Sequence, residues 1–299
     1  MCSGLITEKQ NPHSMDIDKL STSEILELIN KEDSLISTAV QKVLPEVEKV
    51  VEFAITALKN SNRIIYIGAG TSGRLGILDA SEIPPTFSAP REWFTGVIAG
   101  GTEAVFRSIE SAEDKPQDAK RDLNNIGIKK GDVLIGIASS STTPYVIAGL
   151  KYGKQIGCRT IFLICNPIPV ESENFDVIIS VDVGPEIITG STRMKAGTAT
   201  KLILNMISTT TMVKMGKVYG NLMVDLKVVN EKLRDRGTRI IEKLTDLNYK
   251  EAGSVLKGSG GSVKTALVMV KEACSKAKAE ELINRYDGNL RQIIGDISF

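Results

Sequence analysis

Histidine is almost missing from this chain. His13 is the single one among 299 residues. Cysteine is scarce too, at positions 2, 158, 165 and 274, and no two cysteines have the Cys-x-x-Cys spacing. A zinc site of the Cys/His type is therefore excluded, and no disulfide framework is expected. Free thiols point to a reducing cytosol. Cys158 and Cys165 flank and end an apolar strand, where thiols act as small buried hydrophobes. There is one tryptophan, Trp93, expected to pack rather than to form a sugar platform. Charge of either sign is not in excess: 37 basic against 36 acidic residues give about +1. Nucleic acid and anionic membrane are thus not expected as partners. No apolar run reaches a membrane-spanning length. The opening MCSGLITEKQ lacks a basic start followed by an apolar stretch, so no signal peptide is expected.

What is present is ordinary globular material: 42% apolar and 24% charged residues. The length suits one large α/β domain with a smaller unit. Residues 1–20 are polar and read as extended. Ser21 or Thr22 starts a helix, with Glu24 in its first turn. Residues 33–60 have helical spacing, with a break or kink at Pro45.

Apolar runs then alternate with helical ones. Strands are predicted at 63–67, 94–99, 133–138, 160–165 and 177–181. Helices are predicted at 75–81 (ended before Pro84-Pro85), 103–112, 144–155 and 194–215. Strands such as VLIGIA and TIFLIC are apolar throughout, as expected when both faces are covered. The pattern predicts an α/β fold with a doubly wound, five-stranded parallel sheet, N-terminal helices and a small C-terminal helical unit. The expected division is 1–50 for the N-terminal segment and helices, 51–236 for the main domain, and 237–299 for a three-helix unit.

Two loops carry the chemistry. Gly68-Ala-Gly-Thr-Ser-Gly-Arg-Leu-Gly76 follows the first strand, and Gly68, Gly70 and Gly73 have the GxGxxG spacing. Such a loop aims N–H groups at an anion over a helix start. A dinucleotide site wants an acid ending the second strand, but that strand ends Ile98-Ala-Gly-Gly101. A Walker loop wants Gly-Lys-Ser/Thr, and no Gly-Lys pair continues that way. The hydroxyls Thr71 and Ser72 are what set this loop apart. A second hydroxyl run, Ser139, Ser140, Ser141, Thr142 and Thr143, follows the third strand. Two such loops at the carboxyl ends of parallel strands form one crevice suited to a phosphate monoester and sugar hydroxyls. N-capping would also favour Ser and Thr there, but needs one such residue, not five.

These blocks resemble a family. The loops resemble the sugar isomerase (SIS) domain. GAGTSGRLGILDASEIPPTF, IAGG, SAED, TPYVIAGL and GPEIITGSTRMKAGTATK are more specific. With TEKQNPHSMDIDKLST and GKVYGNLMVDLKVVNEKL they are similar to N-acetylmuramic acid 6-phosphate etherases, across nearly the whole chain. The glucokinase regulatory protein shares the 184–201 signature. One departure stands out: the family's second loop usually reads Ala-Ser-Gly-Arg-Thr-Pro-Tyr, and here Ser141-Thr142 replaces Gly-Arg.

The resemblance implies removal of the D-lactyl ether from C3 of the sugar. The products are N-acetylglucosamine 6-phosphate and D-lactate, as in cell-wall amino-sugar recycling. It implies no metal and no cofactor. The family's carboxyl pair falls on Glu82, implied as the acid that protonates the lactyl oxygen, and Glu113, implied as the base at C2. On the residues alone, both read sooner as solvated helix-end glutamates. Substrate contacts are expected from Gly70, Thr71, Ser72, Gly73 and Arg74, from Ser139, Ser140, Ser141, Thr142 and Thr143, and from Ser191 and Lys195. Arg74 reads either as a carboxylate ligand or as a partner of Asp79, and Lys195 as a ligand contact or an exposed residue at a helix start. A cytoplasmic homodimer acting on a small sugar phosphate is expected. A non-catalytic sugar-phosphate sensor and a sugar-phosphate isomerase are the competing classes.

Overall fold

The computed structural model describes residues 5–167, 174–226, 228 and 230–296; Cys2 lies outside them. The chain forms two compact units, Met1–Ser81 with Arg91–Ser208, and Glu82–Pro90 with Thr209–Phe299.

The first unit opens with helices α1 (Thr22–Asp33), α2 (Ile36–Gln41) and α3 (Leu44–Lys59). Ser21 caps α1 as expected. Its hydroxyl accepts from the Glu24 N–H, and the Glu24 carboxylate accepts from the Ser21 N–H. The expected break falls between α2 and α3, just before Pro45. That proline sits in the first turn of α3, where an N–H would lack an intrahelical partner anyway.

Five parallel strands follow: β1 (Ile64–Gly68), β2 (Phe94–Ile98), β3 (Val133–Ile137), β4 (Arg159–Ile164) and β5 (Val177–Ser180). Their spatial order is β2-β1-β3-β4-β5. Gly68 pairs with Ile98 on one side and Ile137 on the other, so three strands end at one level. The order changes direction between β1 and β3, which in open α/β sheets is where ligands bind. Every residue of β1 is buried, and each fully buried isoleucine contributes roughly 1.5–3 kcal/mol.

Between the strands lie α4 (Gly70–Phe87), α5 (Glu103–Phe106), α6 (Pro116–Asn125) and α7 (Pro144–Ile156). Ala119 and Leu123 of α6, with Val146 and Leu150 of α7, bury Ile65, Ile67, Leu134 and Phe162. On the other face α4 lies against Tyr66. A Cβ at Gly76 would come within 2.8 Å of the Tyr66 Cβ.

Helix α6 lies where none was predicted, and two of the predicted helices have other bounds. The predicted 75–81 helix begins at Gly70 and runs through Pro84 and Pro85 to Phe87. Those prolines lack N–H groups, so they leave the Ala80 and Ser81 carbonyls without helical donors. The predicted 103–112 helix stops at Phe106. Beyond it the chain turns irregularly, with Ser111 in the left-handed region at φ +56°, a conformation no helix continues through.

Helix α8 (Lys195–Lys214) leads into the second unit. That unit holds a hairpin, β6 (Val218–Tyr219) with β7 (Leu222–Met223). It then has α9 (Glu231–Leu244), α10 (Tyr249–Gly258), α11 (Val263–Lys271), α12 (Lys276–Arg285) and α13 (Leu290–Ile294). Each begins behind a capping Asn or Ser whose side chain accepts a first-turn N–H: Asn230, Asn248, Ser262, Ser275 and Asn289. Its core centres on Tyr219, Ile241, Leu256 and Leu267. Lys264 is buried there, its Nζ donating to the Gly216 carbonyl and to Asp225, both at 2.9 Å. Among the described residues no helix is long and apolar enough to cross a membrane.

Candidate active site

The glycine run is not a loop but the first turn of α4. Gly70 has φ +51°, which lets the chain leave β1 and enter the helix at once. A Cβ at Gly73 would stand 2.6 Å from the Ile98 side chain and 2.9 Å from the Gly68 carbonyl oxygen. Only glycine lets this turn press against the ends of β1 and β2. The first-turn N–H groups of a helix have no intrahelical partner, and here they top the sheet beside Thr71 and Ser72. Thr71 is half-buried and Ser72 buried.

Gly70 and Arg74 line a cavity of about 180 Å³ with Ala99, Ala104 and residues 108–113, Glu113 included. Arg74 does not pair with Asp79. Its Nε donates to the Val105 carbonyl at 3.0 Å and its Nη2 to the Arg107 carbonyl at 3.1 Å. It thereby pins the end of α5 as one wall of the cavity. Asp79 accepts instead from the Tyr66 hydroxyl at 2.8 Å, from Asn205 at 2.6 Å and from Ser208 at 3.0 Å.

The hydroxyl run Ser139–Thr143 joins β3 to α7. Ser140 Oγ lies 3.4 Å from Thr143 Oγ1 and accepts from the Thr142 hydroxyl at 3.3 Å. Thr143 is the residue before α7, yet its side chain makes no capping hydrogen bond. Capping therefore does not explain the run. Ser141 is buried with φ +63°. The loop meets Glu113 through the backbone: the Tyr145 N–H donates to the Glu113 carbonyl at 3.0 Å. Gly70, Arg74 and Glu113 are thus assembled around one cavity, and Ser139–Thr143 is bonded to its Glu113 end. Glu82 stands elsewhere on α4. It is exposed, twelve residues after Gly70, hence about 18 Å along the helix axis.

Lys195 is not exposed. It is 1% accessible, and its Nζ donates to Glu32 Oε2 at 2.7 Å. Asn11 donates to the same oxygen at 2.9 Å, and His13 Nδ1 lies 2.7 Å from Glu32 Oε1. Burial pushes the Glu32 carboxyl up, but these hydrogen bonds and the Lys195 charge outweigh it and hold it at about 2. Ser191 lies in the turn before α8, its N–H bonded to the Ile188 carbonyl at 2.9 Å. The start of α8 is capped by Glu186, which accepts from the Lys195 and Ala196 N–H groups at 2.9 Å each. Burial raises the Glu186 carboxyl in spite of those two donors.

Comparison with known proteins now decides the family. Residues 46–154 match the model of the glucokinase regulatory protein N-terminal SIS domain. An N-acetylmuramic acid 6-phosphate etherase of Bacillus licheniformis is 48% identical over 290 residues, 97% of this chain and 95% of that one. Another from Geobacillus is 47% identical over 98% of this chain and all of the relative. The chain belongs to the N-acetylmuramic acid 6-phosphate etherase family. Among solved structures, a phosphoheptose isomerase from Neisseria gonorrhoeae covers 64% of the chain with a TM-score of 0.50 at 18% identity, which supports the SIS fold alone.

In this member of the etherase family, Ser141 holds a left-handed conformation and Thr142 beside it is exposed. Sequence reasoning missed the wall formed by residues 108–112, since it had assigned them to a helix.

Proposed function

We propose that this chain cleaves the lactyl ether of N-acetylmuramic acid 6-phosphate with Glu113 as base and Glu82 as acid. The carrying observation is Glu113 in a cavity that opens at the first turn of α4 and is tied to the hydroxyl loop by the Tyr145 N–H. The phosphate sits on the Gly70–Arg74 turn, with the hydroxyls of Ser139–Thr143 around it. Ser191, in the turn before α8, is a further proposed contact; the buried Lys195 pairs with Glu32.

In the open-chain sugar the C1 aldehyde acidifies the C2 proton. The Glu113 carboxylate takes that proton, and the electron pair of the C–H bond passes to the carbonyl. The C3–O bond then breaks as the Glu82 carboxylic acid gives its proton to the lactyl oxygen, and D-lactate leaves. Water adds to C3 of the unsaturated aldehyde, losing a proton to the Glu82 carboxylate, while protonated Glu113 returns a proton to C2. Both carboxyls end as they began, and the product is N-acetylglucosamine 6-phosphate. Two carboxyls with opposite starting protonation suffice.

The 18 Å of helix between Gly70 and Glu82 exceeds the length of a hexose phosphate. We therefore propose a homodimer in which a second copy supplies Glu82. Leu78, one turn before Glu82 on the same face, is 50% exposed, as a covered interface position would be in a lone chain. The free thiols Cys158, Cys165 and Cys274 support a cytoplasmic location. The test is D-lactate release from pure enzyme given N-acetylmuramic acid 6-phosphate, with the mass measured by light scattering. Folded protein that releases no lactate would end the reading.

A further inference from the structure

The segment expected to be extended and polar at the N-terminus is woven into the site. Thr7 is wholly buried, and Asn11 and Ser14 are nearly so. The partner of Thr7 lies just beyond the carboxyl end of β4. Asn166, 1% accessible, accepts at Oδ1 from the Ile6 N–H at 2.7 Å and the Thr7 N–H at 3.3 Å. Its Nδ2 donates to Thr7 Oγ1 at 2.9 Å and to the Ser139 carbonyl at 2.6 Å. One amide thus fills both donor and both acceptor positions. It links a strap at residues 6–7 to the first residue of the hydroxyl loop.

The same strap reaches the turn before α8. The Gly190 N–H donates to the Thr7 carbonyl at 3.1 Å, Ser14 Oγ to the Ile187 carbonyl at 2.7 Å, and Asn11 Nδ2 to the Pro185 carbonyl at 3.3 Å. The loop itself has few restraints of its own. Its internal hydroxyl contacts are long, at 3.3–3.4 Å, and Ser141 is held in a left-handed conformation that L-residues resist. Its far end is fixed by the Tyr145 N–H on the Glu113 carbonyl. Its near end is fixed by the Asn166 amide and the Cys165 N–H, both on the Ser139 carbonyl.

We infer that Asn166 and Thr7 are positioning residues for substrate binding: the N-terminal strap sets the near end of the Ser139–Thr143 loop in its phosphate-binding form. The inference rests on the reading that this loop holds the sugar phosphate. Without the strap the loop must be ordered by the ligand, and that ordering is subtracted from affinity. Glu113 keeps its own anchor, so the loss falls on KM and leaves kcat near native.

The experiment measures D-lactate release by Thr7→Val, Thr7→Ser, Asn166→Ala and, as a control, Thr143→Ala. Thr7→Val keeps the shape of the buried side chain and removes only the hydroxyl that accepts from Asn166. It should raise KM about three- to tenfold, the scale of one lost hydrogen bond, with kcat within about twofold. Thr7→Ser should restore the native KM. Asn166→Ala should raise KM further if it folds, and the Thr7 pair stands without it. A raised KM in Thr143→Ala with native KM in Thr7→Val would overturn the strap while keeping the loop. A native KM in Thr143→Ala would overturn the loop reading and the strap with it. Equal loss of kcat in Thr7→Val and Thr7→Ser would mean the segment only stabilises the fold, and would also overturn the inference.

Discussion

The backbone N–H of Tyr145 donates to the backbone carbonyl of Glu113 at 3.0 Å. This single bond joins the head of α7 to the loop that carries the proposed base. It uses only main-chain atoms, so the Glu113 side chain is free for chemistry and can be changed without loosening the join.

Glu113→Gln should therefore fold as the parent does and lose at least about 100-fold in kcat, the usual scale for a positioned acid or base. Glu82→Gln should lose a similar factor. Steady-state lactate release with thermal melting checks both. If the homodimer reading holds, mixing the two inactive proteins should recover part of the activity, because a mixed dimer carries one site with both glutamates intact.

Ser141→Gly should raise stability by up to about 1 kcal/mol, since it removes a Cβ from a left-handed position. Thr142→Arg, at the exposed residue beside it, should lower KM about fivefold by placing a cation near the dianionic phosphate. Denaturation midpoints read the first and substrate titrations the second. An unchanged KM in Thr142→Arg would show that the loop's exposed side is turned away from the ligand.

The Glu32–Lys195 pair makes the fold acid-sensitive. The Glu32 carboxyl lies at about 2, below its ordinary 4.5. Its stabilisation is complete above pH 4.5 and is lost as pH falls towards 2, on the order of 3 kcal/mol in all. Urea midpoints from pH 6 to 2 should fall accordingly. The double change Glu32→Gln with Lys195→Met removes both charges, and should flatten that fall.

Cys158 and Cys165 should resist thiol reagents at pH 8. Burial pushes both thiols up to about 12, and the thiolate is the reactive form. Among the described thiols, half-buried Cys274 should react first. Labelling followed by mass mapping, before and after unfolding, separates them.

The sheet was legible because its strands are apolar along their whole length, and the glycine and hydroxyl runs sit at strand ends where ligands bind. Ser21 with Glu24 announced the first helix by local chemistry alone. What was not legible depended on partners remote in sequence. Arg74 found main-chain carbonyls at 105 and 107 rather than the nearby Asp79. Lys195 found Glu32, 163 positions earlier. Thr7 and Asn11 looked like solvated polar residues and are buried, because each meets a group its neighbours in sequence do not supply. Pro45 marks the expected break by opening α3, whereas Pro84 and Pro85, expected beyond a helix end, lie within the last turn of one.

The bond from Ile6 to Asn166 spans 160 residues. During synthesis residue 6 emerges long before its partner. At ordinary translation rates it waits roughly 10–30 s. The sheet must reach β4 before the strap has anything to close on, so residues 6–7 are among the last to settle. A nascent chain arrested before Asn166 should leave residues 6–7 open to proteases, and the hydroxyl loop acquires its final restraint only once that strap has docked.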